Sequence, residues 1–484
     1  MSLTFVGLLQ MVVGSVLLFR SLAAMLVFLM VSGLLGGAAA LTVPALGNST
    51  IPPVQFALVF VYLRILMPRG GCFAVWTQGV RDNLLLVLFT LYGVAAAIVA
   101  PRIFAGHIQV APMRFDGARS LFDTVPLQPT PQNITAAVYL IGALLATLAA
   151  YAIVRTRGGV EALVKGAVAI AWVHALSGLI AAQTKGTAIG GFFALFRNGA
   201  YAQLDQSYQG FARIDGFFPE ASGWASFGFA WFVFATECWY RSVWARHTGL
   251  AALVLGGMLF ASTSSTAYVG LACYGGFFVA RALLAPTSAA PLRMRQAGVA
   301  MVALTVLVAL ALAVMPGLAA KVWDMILHMT VEKGDSDSGR QRLFWAMQGF
   351  TAFVASGGLG IGPGSFRSSS LFTAILGTMG VIGVVTFCGY LLQIMRCTRR
   401  AQGPEEEAIS AVMRACATTA PIILLPAAIS TPNSHPGINF AIFAGAALGL
   451  SAMLPRRRPT MDHALLVSRR MTGGPPVGAA AGGS

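Results

Sequence analysis

Arg213, Asp215 and Glu220 fall within eight positions of FARIDGFFPEASGWASFGFAWF, residues 211–232, directly against a long apolar run. Only 10% of the chain is charged, so three ionisable groups at the mouth of such a run call for a reason. Two chemistries suit these residue types. A guanidinium is a permanently charged fork that pairs bidentately with phosphate. A carboxylate beside it can accept the proton of an attacking hydroxyl. The structural alternative is a helix-start carboxylate with an arginine neutralising it. Pro219 suits a first helical turn, and negative charge is favoured near a helix N-terminus.

Two further clusters carry the same residue types. In GDSDSGRQRLFWAMQGF, residues 334–350, Asp335, Ser336, Asp337 or Ser338 can cap a helix beginning near 339. Leu343, Met347, Phe350 and Val354 then share one face; Arg340 extends it and Arg342 is offset. The alternative there is an amphipathic helix lying on a leaflet, its arginines touching headgroups. In GGLGIGPGSFRSSSLF, residues 357–372, Gly360, Gly362 and Gly364 alternate before Arg367 and three serines. Glycines allow close backbone approach and can leave N–H groups free as an anion nest. Ser368, Ser369 and Ser370 can cap the following helix, whose N-terminus also attracts anions. Glycine-rich turns before helices are common, so this cluster counts mainly in company with the others.

The elements that position these clusters are membrane helices. Hydrophobic residues make up 57% of the 484, and apolar runs of spanning length recur along the chain. A span needs about 20 apolar residues, and barrel strands would alternate instead. The pattern predicts an all-α polytopic membrane protein. Spans are expected near 2–19, 21–41, 54–67, 83–100, 134–154, 162–184, 221–239, 248–262, 266–284, 297–315, 371–395, 416–430 and 438–454. The first run either spans or lies in the interface, so the count is 12 or 13. Residues 1–454 form one membrane domain, and 455–484, ending TGGPPVGAAAGGS, read as a disordered tail. No cleavable signal is evident at the start.

Arginines give the orientation. Arg20, Arg69, Arg81, Arg155, Arg157, Arg241, Arg246, Arg293, Arg295, Arg396, Arg399, Arg400, Arg414 and Arg456 to Arg458 fall in one alternating set of loops, expected to be cytoplasmic. The opposite set includes long loops at 101–133, 185–220 and 316–370, which carry all three clusters. The net charge of +16 is therefore a topology signal, and no basic-aromatic motif points to nucleic acid. The six cysteines lie in spans or on the arginine-rich side, with no zinc spacing, and no HExxH, Walker A or dinucleotide fingerprint occurs. No metal or cofactor is expected. An anionic, lipid-borne group at the outer leaflet is the ligand that three arginine clusters on one face fit.

RIDGFFPEASGWASF resembles the R-x-x-G-x-x-x-E/P-x block of the O-antigen ligase and Wzy-type polysaccharide polymerase superfamily. The resemblance continues through LFASTSSTAYVGL (259–271), the helix sequence GRQRLFW, and GLGIGPGSFRSSSLFTAILGTMGVIG (358–383), and covers mainly residues 205–390. It implies a GT-C-like, metal-independent glycosyltransferase of the bacterial inner membrane. Such enzymes act at the periplasmic face on undecaprenyl-diphosphate-linked oligosaccharides, with the diphosphate as leaving group. Carried over by position, Arg213 and Arg340 bind the diphosphate, with Arg342 and Arg367 as further candidates; Asp215 or Glu220 is the proton acceptor. The ligase branch has H-N-x-x-L after the glycine block, where this chain has Ser368-Ser369-Ser370. His435, in STPNSHPGINF, is a substitute base or simply a turn residue, and His174 a satisfied membrane-interior histidine. The expected function is polymerisation of a surface polysaccharide or exopolysaccharide, with other polysaccharide-assembly proteins as partners besides the bilayer and the lipid-linked glycans. The alternatives are an O-antigen ligase acting on lipid A-core and a transporter of an anionic substrate. Against the transporter stand the long outer loops and the lack of charged pairs at mid-span.

Overall fold

A computed structural model describes residues 2–44, 49–67, 73–114, 120, 122–199, 207–208, 211–212, 214–284, 290–314, 337–397 and 407–454. The described residues are 75% helical with few strands: the protein is an all-α polytopic membrane protein. The helices are α1 Phe5–Leu17, α2 Leu22–Gly33, α3 Pro53–Leu66, α4 Phe73–Asp82, α5 Leu84–Ile103, α6 Pro131–Val154, α7 Gly159–Gln183, α8 Ala188–Leu195 and α9 Ala221–Tyr240. They continue as α10 Ala245–Ala261, α11 Ser265–Leu284, α12 Ala290–Val314, α13 Asp337–Ala355, α14 Leu371–Cys397, α15 Glu407–Ile422, α16 Leu424–Ser430 and α17 Ile438–Met453. The expected tail lies outside the described residues.

Among the described residues, six helical stretches are long and apolar enough to cross a membrane: α5, α6, α7, α11, α14 and residues 408–430 across α15 and α16. Five shorter apolar helices, α1, α2, α3, α10 and α17, accompany them. The first apolar run folds as the 13-residue α1, about 20 Å long against a hydrocarbon core of about 30 Å. The second run stops early. Instead of continuing to 41, α2 ends at Gly33, and the small-residue stretch after it is tied to a distant loop by Gly37 N–H to the Phe217 carbonyl at 2.9 Å. Apolar side chains cover the outside of the bundle, as on α1, where Val12 is 56% and Val16 58% exposed. A water-facing surface would not keep such a continuous apolar cover, whereas lipid solvates it.

α9, expected as a span, is not among the six. Gly, Ser, Trp and Glu237 dilute its apolar character. Its place explains this: fourteen of its twenty residues are buried by neighbouring helices, so little of it meets lipid. α6 and α17 approach closely for the same kind of local reason. A Cβ on Gly445 would collide with the Thr147 carbonyl, and one on Gly449 would lie 2.6 Å from that of Tyr151. Small residues let membrane helices pack backbone to backbone, where dispersion and not hydrophobic exclusion holds them.

The loop face carries short strands: β1 Ser2–Leu3, β2 Leu41–Val43 and β3 Ser49–Ile51 in one antiparallel sheet, and β4 Gln109–Val110 paired with β5 Val125–Pro126. β6 Ser207–Tyr208 pairs with β7 Phe211–Ala212 just ahead of the loop into α9.

α14 is broken. Gly380 stands at φ 57°, ψ −152° inside it, about 13 Å along from its N-terminus. The glycine loop between α13 and α14 fills the break. Ile361 N–H donates to the Gly377 carbonyl and Gly362 N–H to that of Thr378, both at 2.9 Å. Val381 N–H donates to the Gly358 carbonyl, also at 2.9 Å. Groups released by the break are thus paired with loop backbone, the condition for non-helical chain at membrane depth. Tyr92 of α5 donates to the Leu359 carbonyl at 2.7 Å, and Asn133 of α6 to the Pro363 carbonyl at 2.9 Å.

Candidate functional site

The turn before α9 begins with a closed ion pair. Asp215 is 1% exposed, and its Oδ1 lies 2.7 Å from Arg197 Nη2. Lys185 Nζ stands 3.6 Å from Oδ2. Arg197 also donates through Nε to the Gly216 carbonyl at 2.9 Å. A carboxylate out of water needs such partners, because desolvation otherwise exceeds the charge attraction. Asp215 therefore fixes the turn, and its engagement with two cations removes it from the role of free proton acceptor expected from the sequence. Lys185 and Arg197 were not singled out there: they lie 30 and 18 residues upstream, too far for local spacing to pair them.

Glu220 is the opposite case. It is the N-cap residue of α9, its carbonyl accepting Trp224 N–H at 3.1 Å, while its side chain makes no cap bond. The carboxylate is exposed and accepts from Ser222 Oγ at 2.6 Å. The helix begins at Ala221, so Pro219 lies just ahead of the N-cap and not in the first turn, and the Glu220 carboxylate stands at the helix start without capping it.

Arg367 is a half-buried cation of the loop face. Its guanidinium lies 4.4 Å over the ring of buried Trp345 on α13, a cation–π stack. The Arg367 backbone N–H donates to the Ala111 carbonyl at 3.0 Å, and Ala111 N–H reaches Gln348 Oε1 at 3.3 Å, so the β4–β5 hairpin, α13 and the glycine loop lock together. Burial lowers the Arg367 pKa, and the Glu220 carboxylate acts on it in the opposite direction. The two side chains are thus electrostatic neighbours from separate loops.

The serines after Arg367 form the turn into α14. Ser370 supplies the carbonyl for Ala374 N–H at 2.9 Å, and its own N–H donates to Ser368 Oγ at 3.2 Å. Ser369 Oγ donates to the Arg342 carbonyl at 2.5 Å, which ties Arg342 beside the block. Ser368 N–H donates to the Pro432 carbonyl at 3.3 Å, joining the turn that holds His435. His435 packs edge-on to Tyr139 at 5.3 Å, and removal from water brings its pKa down to about 4. Its imidazole is neutral at pH 7.

The structure does not gather all the expected groups. Arg340 is exposed on the outward face of α13 with Leu343, Met347, Phe350 and Val354, while Trp345 and Arg367 lie inward. Arg213 lies outside the described residues. The glycine block has a different job from an anion nest: its N–H groups at 358, 360, 361 and 362 are used internally. A Cβ on Gly362 would lie 2.5 Å from the Ala96 carbonyl, and Gly360 and Gly364 sit as tightly on Thr378 and Gln132. These glycines insert the loop between helices.

A second acid–base cluster escaped the sequence reading. Glu237, fully buried near the other end of α9, pairs with Arg241 and with Arg281 Nη1 at 2.7 Å. The signal was present as a lone Glu in an apolar run with Arg four residues on. Among the described residues, no three His, Cys, Asp or Glu side chains gather in a set fit for a metal ion. No family model matches the chain, and no curated protein matches it in sequence.

Proposed function

We propose that the protein is a polymerase of a bacterial surface polysaccharide or exopolysaccharide. It transfers undecaprenyl-diphosphate-linked oligosaccharide onto a growing chain at the periplasmic face of the inner membrane. What supports this reading is an exposed Glu220 carboxylate on the turn before α9 and a half-buried Arg367 guanidinium after the glycine loop, on which the charge of Glu220 acts. The acceptor sugar hydroxyl attacks the anomeric carbon of the donor. A new C–O bond forms, the bond to the diphosphate breaks, and its electron pair leaves with the diphosphate. Glu220 takes the hydroxyl proton. Arg367 offsets charge as it builds on the departing diphosphate, an interaction strongest in the transition state. Arg342 beside the serine block and Arg213, assigned through the resemblance, are further diphosphate contacts. Arg340, on the outward face of α13, meets the headgroup of a donor arriving laterally from the leaflet.

One observation favours a ligase as the second reading: the turn bearing His435 is bonded to Ser368, beside Arg367. Its neutral imidazole is then the proton acceptor. The two readings separate in cells lacking the gene. Extracted lipid-linked glycans, sized by mass spectrometry, are expected to be single repeat units. Long chains stranded on the lipid diphosphate would overturn the polymerase and leave the ligase.

A further inference from the structure

At the opposite end of α9, among the described residues, arginines outnumber the carboxylate that holds them. Glu237 is saturated: Oε1 accepts from Tyr274 and Arg281 at 2.8 Å, and Oε2 from Arg281 at 2.7 Å and from Arg241. One carboxylate balances one cation, so Arg241 and Arg281 together leave a positive charge. Arg241 Nη2 reaches Thr418 of α15 at 3.3 Å, and its charge acts on Arg414, one helical turn before Thr418. Arg293 of α12 joins from the other side, donating to Ser242 Oγ at 3.1 Å. Two arginines thus hold one buried carboxylate, and Arg293 of α12 and Arg414 of α15 stand beside them.

Aromatic rings build the floor. Arg281 stacks 4.8 Å over Tyr240, Arg293 stacks 5.3 Å over Trp239, and Trp239 stacks in turn on Phe278 at 6.5 Å. Tyr and Trp collect where hydrocarbon meets headgroups, which places this end of the bundle at that level. Nε and Nη2 of Arg281 and Nε of Arg293 are buried without an acceptor among the described residues. A guanidinium N–H withdrawn from water needs an acceptor, and Glu237 has no capacity left for these.

We propose that the cytoplasmic ends of α9, α11, α12 and α15 hold the phosphate headgroup of an anionic phospholipid. Arg241, Arg281, Arg293 and Arg414 supply charge and donors, and Trp239 and Tyr240 the interfacial ring shelf. The arginine distribution assigns this end to the cytoplasmic side, where basic pockets between spanning helices meet anionic headgroups. The site is independent of the transfer chemistry proposed for the loop face. A lipid is favoured over soluble phosphate because Arg241, Arg281 and Arg293 lie at helix ends, beside exposed Leu283 and Leu284 of α11.

Native mass spectrometry of the full-length protein tests this, with dioleoylphosphatidylglycerol, dioleoylphosphatidylcholine and inorganic phosphate as probes. The wild type is expected to retain the glycerol lipid roughly tenfold better than the choline lipid, and excess phosphate is expected to leave it bound. Arg293→Gln combined with Arg414→Gln spares the Glu237 pair, and should lower that preference at least roughly fivefold in a protein that melts like the wild type. A melting point raised by the glycerol lipid but not the choline lipid is the matching expectation on the unaltered protein, should the variant fail to fold. Equal retention of both lipids, an unchanged preference in the variant, no selective melting shift, or displacement by phosphate would each overturn the proposal.

Discussion

Asp215 and Glu220 stand five residues apart on one turn and meet positive charge in opposite ways. Asp215 is sealed against Arg197 at 2.7 Å with Lys185 behind it, and no water-facing surface remains. Glu220 keeps its carboxylate exposed and only neighbours Arg367. A sealed pair has spent its charge on the fold, and breaking it leaves an ion stranded in a poor solvent. An exposed carboxylate with no ion-pair partner among the described residues has charge left for a substrate. Glu237 repeats the sealed design at the other end of α9. Residue type therefore does not say which carboxylate does chemistry; burial and the number of partners do.

The contrast is broken most severely from the sealed side. Arg197→Ala should cost about 3–5 kcal/mol, because Asp215 stays buried with, among the described residues, only Lys185 left as a cation beside it. Melting of the detergent-solubilised protein checks this. Replacing both partners, Arg197→Met with Asp215→Leu, should recover most of the loss. A double variant as unstable as the single one would mean that the pair is not what holds the turn.

Arg367→Ala should act on the other quantity. Loss of one preorganised donor is expected to lower the transfer rate roughly 10²–10³-fold. Arg367→Lys should recover little, since a point charge replaces a stacked fork. Arg340→Ala, on the outward face, should cost roughly tenfold or less, mainly in apparent donor affinity. Equal losses at 340 and 367 would erase the distinction between the inward and outward faces of α13.

The smallest effect expected is at His435. Its pKa is about 4 in the folded chain and near 6.5 when unfolded, so between these values the unfolded state binds the extra proton. Stability contributed by the neutral ring is then complete above pH 6.5 and is lost as pH falls towards about 4. His435→Gln should flatten the pH dependence of melting by on the order of 1–2 kcal/mol between pH 7 and 5. A variant with the wild-type slope would place the effect elsewhere.

Apolar runs made the fold class legible, because a bilayer demands long stretches of one character. Helix lengths were less so: α2 ends at Gly33 because its small residues serve a contact with Phe217, a partner far along the chain. The break at Gly380 was invisible inside LGTMGVIG, since its carbonyls are answered by a loop some twenty residues earlier. The glycine block was conspicuous, but its purpose depended on the backbones of α5, α6 and α14 that it touches. Of the site, the residue types in the clusters were readable. The sorting of Asp215 from Glu220, and of Arg340 from Arg367, waited on burial. No spacing rule finds Arg197 or Lys185, because ion pairs across a loop leave no period.

The most direct test of Glu220 as the open carboxylate is single-turnover transfer by the purified protein in liposomes, with a lipid-diphosphate-linked repeat unit as donor. Glu220→Gln keeps the shape of the side chain and removes its capacity to take a proton. The expected result is a transfer rate lowered roughly 10²–10⁴-fold, with donor binding and melting close to wild type. A Glu220→Gln protein that elongates chains at the wild-type rate would contradict the assignment.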